Sequence, residues 1–121
     1  MTAFLTLEDL LDLILDLGVG PVRDLGLLAS AAHRPSTTLF GREAYESLDL
    51  KAAVLLESVV RNHPLVDGNR RLGWLAVAVF YDINSTDLDA PDDDAYDLVI
   101  GVATGSVTAQ ESAARLASWR R

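Results

Sequence analysis

The sequence has no cysteine and only two histidines. Disulfides, thiolate-held zinc, iron–sulfur clusters and a thiol nucleophile are excluded together, and so is a histidine-rich metal site. A cytoplasmic protein is the simplest expectation. Long apolar runs are missing too: the longest, Leu72 to Tyr81, is about half of what a bilayer crossing needs and reads as a buried helix. The first residues have no basic start, and their leucines are interrupted by Glu8, Asp9, Asp12 and Asp16, unlike a secretory leader. Nor is there an excess of positive charge. Ten basic residues against eighteen acidic ones leave −8, which argues against direct binding to nucleic acid or to an anionic membrane. What remains is 121 residues, half of them apolar, enough for one domain over 1–121 with its own core.

Charge is unevenly placed. Asp82 to Asp97 holds seven aspartates and no basic residue, so this segment carries −7 and the rest of the chain only −1. A solvated loop leading into a helix whose first turn accepts carboxylates is the expected reading. Arg61, Arg70 and Arg71, by contrast, fall within eleven residues that contain His63 and a single acid, Asp67. An acidic chain therefore carries a local cationic site.

Apolar spacing predicts helices nearly throughout. Thr6 is a plausible N-cap, and Leu7, Leu10, Leu11, Ile14 and Leu17 recur at helical spacing until Gly18. A second helix is expected to open at Pro21 and to keep Leu25, Leu28, Ala29 and Ala32 on one face as far as Arg34-Pro35. Arg34 to Gly41 reads as a loop or short hairpin. The run from Asp49 to Arg61 is amphipathic, with Ala52, Leu55, Leu56 and Val59 together. After the loop His63 to Gly68, the stretch Leu72 to Ile83 is apolar nearly all round, which predicts a central helix surrounded by others. Asn84 to Asp94 is polar and turn-rich, Tyr96, Val99, Ile100 and Ala103 resume helical spacing up to Gly105, and Thr108-Ala-Gln-Glu111 is a capping box for a last helix through Leu116 and Trp119. The expectation is an all-α, compact bundle of about six helices with one short flap.

The chemistry-bearing residues crowd into Asn62-His63-Pro64-Leu65-Val66-Asp67-Gly68-Asn69-Arg70-Arg71. Pro64 forces His63 off the preceding helix and into the loop. Gly68-Asn69 opens the next helix, whose free N–H groups and positive dipole end favour an anion, and a glycine lets a phosphate approach the backbone. Arg70 and Arg71 add forked donors suited to phosphate oxygens. Asp67 supplies the hard oxygen that a phosphate-bound Mg²⁺ prefers, and His63 is suited to accept a proton at neutral pH. Singly, each has a plain explanation as a turn, a cap or a solvated face. Base, metal ligand and phosphate cradle within nine residues make a more specific set.

HPLVDGNRR resembles the motif of the Fic/Doc superfamily. Fic proteins carry HPFxxGNGR and Doc-type toxins HxFxDxNKR; this chain has the His, Asp, Asn and final Arg of the second, with Pro64 and Gly68 as in the first. Upstream, DLGLLASAAHRP, LFGREAY and LKAAVLLESVVRNHP resemble the lead-in of bacterial Doc-type toxins. The resemblance implies a helical bundle with the motif between two core helices and a flap that positions the target, with Arg34, Thr37, Thr38 and Phe40 in it. It implies His63 as catalytic base, Asp67 as the Mg²⁺ contact, Gly68 and Asn69 as the anion cradle, and Arg70 and Arg71 as ligands of the ATP phosphates. By the same resemblance the activity is ATP-dependent phosphorylation of a hydroxyl on translation elongation factor Tu, halting protein synthesis. Transfer of AMP, as in Fic enzymes, and a non-catalytic interaction module are the alternatives. Leu65 stands where the family has an aromatic and is expected to anchor the loop in the core. Arg70 stands where Doc has lysine and Fic has glycine. Autoinhibited Fic proteins carry a pattern like [ST]xxxE[GN], absent here, so control is expected from another protein, a Phd-type antitoxin.

Overall fold

The computed structural model describes residues 1–121 as six α-helices and one small hairpin. α1 (Leu7–Leu17) begins at a complete capping box: the Thr6 hydroxyl accepts from the Asp9 N–H at 3.1 Å, and the Asp9 carboxylate accepts from the Thr6 N–H at 2.8 Å. Gly18 ends it, as the sequence predicts. α2 (Leu25–His33) begins later than Pro21. Its start is set by Asp24, whose carboxylate accepts from the Leu27 N–H at 3.0 Å. The residues before it do not coil because their backbone groups pair with a later loop.

A 3-10 turn, Arg34–Ser36, leads into the hairpin of β1 (Thr38–Leu39) and β2 (Arg42–Glu43), antiparallel with Thr38 opposite Glu43 and Leu39 opposite Arg42. Its two turn residues, Phe40 and Gly41, both have positive φ (52° and 76°), the geometry that matches strand twist in two-residue hairpins. Phe40 stands fully exposed at the tip.

α3 (Leu48–Asn62) and α4 (Asn69–Ile83) form an antiparallel pair. Gly73 lets them approach: a Cβ there would lie 2.8 Å from a Val60 methyl and 3.1 Å from a Leu56 methyl. α5 (Asp92–Thr104) and α6 (Ala109–Ser118) complete the bundle against α3. Asp92, Asp93 and Asp94 fill the first turn of α5, where the dipole welcomes them, and Thr108 and Glu111 form the expected capping box of α6. No helix is long and apolar enough to cross a membrane.

The central helix is α3 and not the Leu72–Ile83 helix that apolar content favours. α3 packs against α2, α4, α5 and α6, and even Asp49, Lys51 and Ser58 on it are buried. α4 buries Leu72, Ala76, Val77, Phe80 and Tyr81, whereas Trp74, Leu75 and Ala78 are only half-buried. The second apolar face of α4 lines a cavity that it shares with α5. Polar groups on α3 are tolerated because each has a partner. The Tyr81 hydroxyl donates to Asp49 at 2.6 Å, and Arg120 Nε lies 3.3 Å from the same carboxylate. Lys51 Nζ reaches the Tyr45 and Glu46 carbonyls and the Glu43 carboxylate, tying the return strand of the hairpin to α3.

Candidate functional site

The loop between α3 and α4 is held by its apolar middle. His63 ends α3 in the left-handed region (φ 52°, ψ 62°), after which Pro64 and Leu65 turn inward. Leu65, 1% exposed, joins the main core and anchors the loop as its position predicts. Asn69 fixes that anchor: its Oδ1 accepts from the Leu65 N–H at 2.9 Å, and its Nδ2 donates to the Leu65 carbonyl at 2.9 Å. The Asn69 side chain is buried and spent on the loop. What Asn69 offers an anion is its backbone N–H. That group and the N–H groups of Arg70 and Arg71 have no acceptor in the chain, because the first bond of the helix runs from Leu72 to the Gly68 carbonyl.

The fold itself requires a glycine at position 68. Its φ of 92° disfavours any side chain, and a Cβ there would lie 2.4 Å from the Val19 Cβ. The space the glycine leaves is taken by the protein. Val19 belongs to a brace, residues 19–24, that runs along the loop. Gly20 N–H donates to the Asp67 carbonyl, Val66 N–H to the Pro21 carbonyl, and the N–H groups of Arg23 and Asp24 both donate to the Pro64 carbonyl, at 2.7–3.1 Å. The Arg23 side chain adds Nε to the His63 carbonyl at 2.8 Å and a terminal nitrogen to the Asn62 carbonyl at 3.0 Å. These backbone bonds explain why the expected helix start at Pro21 fails.

A cavity of about 1070 Å³ opens between the loop, α4 and α5. His63, Asp67, Gly68, Asn69, Arg70 and Arg71 all line it, so the structure brings the whole expected loop set together. Its opposite wall is apolar: Trp74, Leu75 and Ala78 of α4 face Tyr96, Val99 and Ile100 of α5. The side chains of His63, Asp67, Arg70 and Arg71 are exposed, and none of them makes a hydrogen bond or ion pair within the chain. Unpartnered donors beside free helix N–H groups suit a polyanion. Asp67 stands without a second and third carboxylate or imidazole that would complete a protein-built metal cage. This donor set fits Mg²⁺ carried on phosphates, which needs only one or two carboxylates from the protein.

The hairpin residues lie outside the cavity lining. Thr38 and Phe40 are exposed on the hairpin, and Thr37 precedes it, its backbone carbonyl accepting from the Ala44 N–H at 2.9 Å. Arg34 sits at the base of the hairpin. Its guanidinium donates to Tyr45, Glu57 and Ser58 at 2.9–3.1 Å and so fastens the flap to α3. Sequence reasoning missed the apolar cavity wall and the brace. The wall had a signal in the second apolar face of α4; the Arg23 contacts had none, because they join residues about forty positions apart.

Two comparisons bear on this geometry. The model of the Fic/DOC family matches residues 4–81, from just before α1 to near the end of α4. A Toxin Doc of Mycolicibacterium smegmatis (strain ATCC 700084 / mc(2)155) is 45% identical over 123 residues, covering 98% of this chain and 95% of that protein.

Proposed function

The chain belongs to the Fic/DOC family, and from that premise we propose that it is the toxin of a toxin–antitoxin pair, a protein kinase that phosphorylates a hydroxyl of elongation factor Tu. The observation that carries the reading is the convergence of four unpartnered polar side chains and three free backbone N–H groups on one cavity. Such a set is a poor investment for folding and a good one for a nucleotide. The N–H groups of Asn69, Arg70 and Arg71 and the two guanidinium groups take phosphate oxygens. The wall of Trp74, Leu75 and Tyr96 suits the flat apolar faces of a purine.

His63 accepts the proton of the target hydroxyl as that oxygen forms its bond to the terminal phosphorus. The bond from that phosphorus to the bridging oxygen breaks, and ADP leaves with the electron pair. Arg70 and Arg71 stabilise the charge that accumulates on the transferred group, and the rigid loop keeps the imidazole in place. Mg²⁺, held by Asp67 together with phosphate oxygens, would neutralise charge on the leaving group.

Arg70 is the residue that favours phosphoryl over AMP transfer. In the Fic pattern its position is glycine, which leaves room beside the helix for the inner phosphates. Gly68 does not restore that room, since Val19 fills the space it leaves. Elongation factor Tu incubated with the chain, Mg²⁺ and ATP labelled in the γ- or α-phosphate is expected to retain only the γ-label. Retention of the α-label alone would make the chain an adenylyltransferase, and no label from either would leave an interaction module. Control by a partner completes the proposal: a Phd-type antitoxin laying a helical segment around the hairpin, where Leu39 and Phe40 are exposed, and the site would block the target's approach to Phe40 and the loop.

A further inference from the structure

α3 ends differently from every other helix of the bundle. α1, α2, α4, α5 and α6 each close with the backbone N–H of the C-cap residue on a carbonyl of the last turn. α3 has no such bond, and its C-cap residue is His63, a side-chain-bearing residue held at φ 52°. L-residues with a Cβ disfavour that region, so something outside the helix must hold it there. At this end the successive carbonyls of Asn62 and His63 are both taken by one side chain, Arg23.

We propose that Arg23 is a positioning residue for His63, its guanidinium bracing the helix end that has no backbone cap and fixing the backbone that carries the imidazole at the edge of the cavity. The inference rests on the reading of His63 as the base. Three features support a positioning role over a purely structural one. Arg23 is exposed and belongs to none of the core, so it has little packing to contribute. Both of its side-chain bonds land at the helix end that carries His63, and none elsewhere. Its own backbone is fixed independently, because its N–H donates to the Pro64 carbonyl at 2.7 Å. A forked, planar donor is needed to span two successive carbonyls, which a lysine can do only in part.

The test compares the wild-type chain with Arg23→Ala and Arg23→Lys. The first readout is the set of backbone ¹³C chemical shifts of His63, which report its φ and ψ without any nucleotide. Arg23→Ala is expected to move them away from left-handed values while those of Leu65 and Asn69, stapled by their own hydrogen bonds, stay in place. The second readout is phosphoryl transfer. The turnover number of Arg23→Ala is expected to fall about a hundredfold, as for a reacting group displaced by an ångström, with KM for ATP within about twofold of wild type. Arg23→Lys should recover part of both signals. Left-handed His63 shifts retained in Arg23→Ala would overturn the inference, as would an unchanged turnover number. Global unfolding of Arg23→Ala would also overturn it, since Arg23 would then serve the fold. If the wild-type chain transfers nothing, the kinase reading fails and the His63 shifts still decide whether Arg23 holds that backbone.

Discussion

The two ends of the α3–α4 pair are built from similar residue types and treat them in opposite ways. At the far end, buried Tyr81 and Asp49 satisfy each other with Arg120 closing over them from the surface, and Lys51 is buried with three acceptors. At the loop end, His63, Asp67, Arg70 and Arg71 are exposed and bond to nothing in the chain. Polar groups are satisfied at the end packed into the bundle and left open at the end that lines the cavity. Only the backbone of the loop end is tightly held, by Leu65, Asn69 and the brace.

The contrast predicts a separation between loss of activity and loss of stability. His63→Ala carries the largest effect: transfer should fall about a hundred- to ten-thousandfold, the range for a general base, while the melting temperature stays within the scatter of an exposed substitution. Growth arrest and thermal melting of the same variant check it. Melting that fell with activity would place His63 in the fold and remove the distinction between the two ends.

Gly68→Ala should damage both properties, because Gly68 belongs to the held backbone of the loop. The left-handed conformation and the collision with Val19 together cost about 2–5 kcal/mol. Adding Val19→Ala relieves the collision and leaves the conformational part, so the double variant should melt between Gly68→Ala and wild type. Denaturant midpoints of the three proteins measure this directly.

At the far end, Tyr81→Phe should lower stability by about 1.5–3 kcal/mol, the range for a hydrogen bond to a charged group, and leave ATP-dependent transfer unchanged. Burial, reinforced by the hydrogen bond to the Asp49 carboxylate, pushes the Tyr81 phenol well above its ordinary value of 10.0. The folded chain therefore keeps this proton at a pH where the unfolded chain releases it. The contribution is complete below pH 10 and is lost as pH rises beyond that value. The stability gap between wild type and Tyr81→Phe should narrow above pH 10, as read from unfolding curves at several alkaline pH values.

Local signals in the sequence were faithful wherever a neighbour within four residues decides the structure. Thr6 and Thr108 cap as their spacing indicates, Gly18 and Gly105 end their helices, and the loop residues meet in one cavity. Failures came where distant chain decides. Pro21 looked like a helix start because its partners, Val66 and the adjoining loop, lie more than forty residues away. α4 looked central because apolar periodicity does not distinguish a face packed on protein from one lining a cavity. α3 looked merely amphipathic because Asp49, Lys51 and Ser58 reveal their partners only once the chain is folded. Gly68 was legible as a position that calls for glycine, but its contact with Val19 was not, since Val19 is not visible from the motif.

Calorimetric titration of His63→Ala with ATP and Mg²⁺ tests most directly whether the open polar end is a nucleotide site, because this variant can bind without consuming the ligand. The account predicts saturable binding that requires Mg²⁺ and weakens about tenfold or more when Arg71→Ala is added, the loss expected for charge-assisted phosphate bonds. No heat of binding, or an affinity indifferent to Arg71, would contradict it.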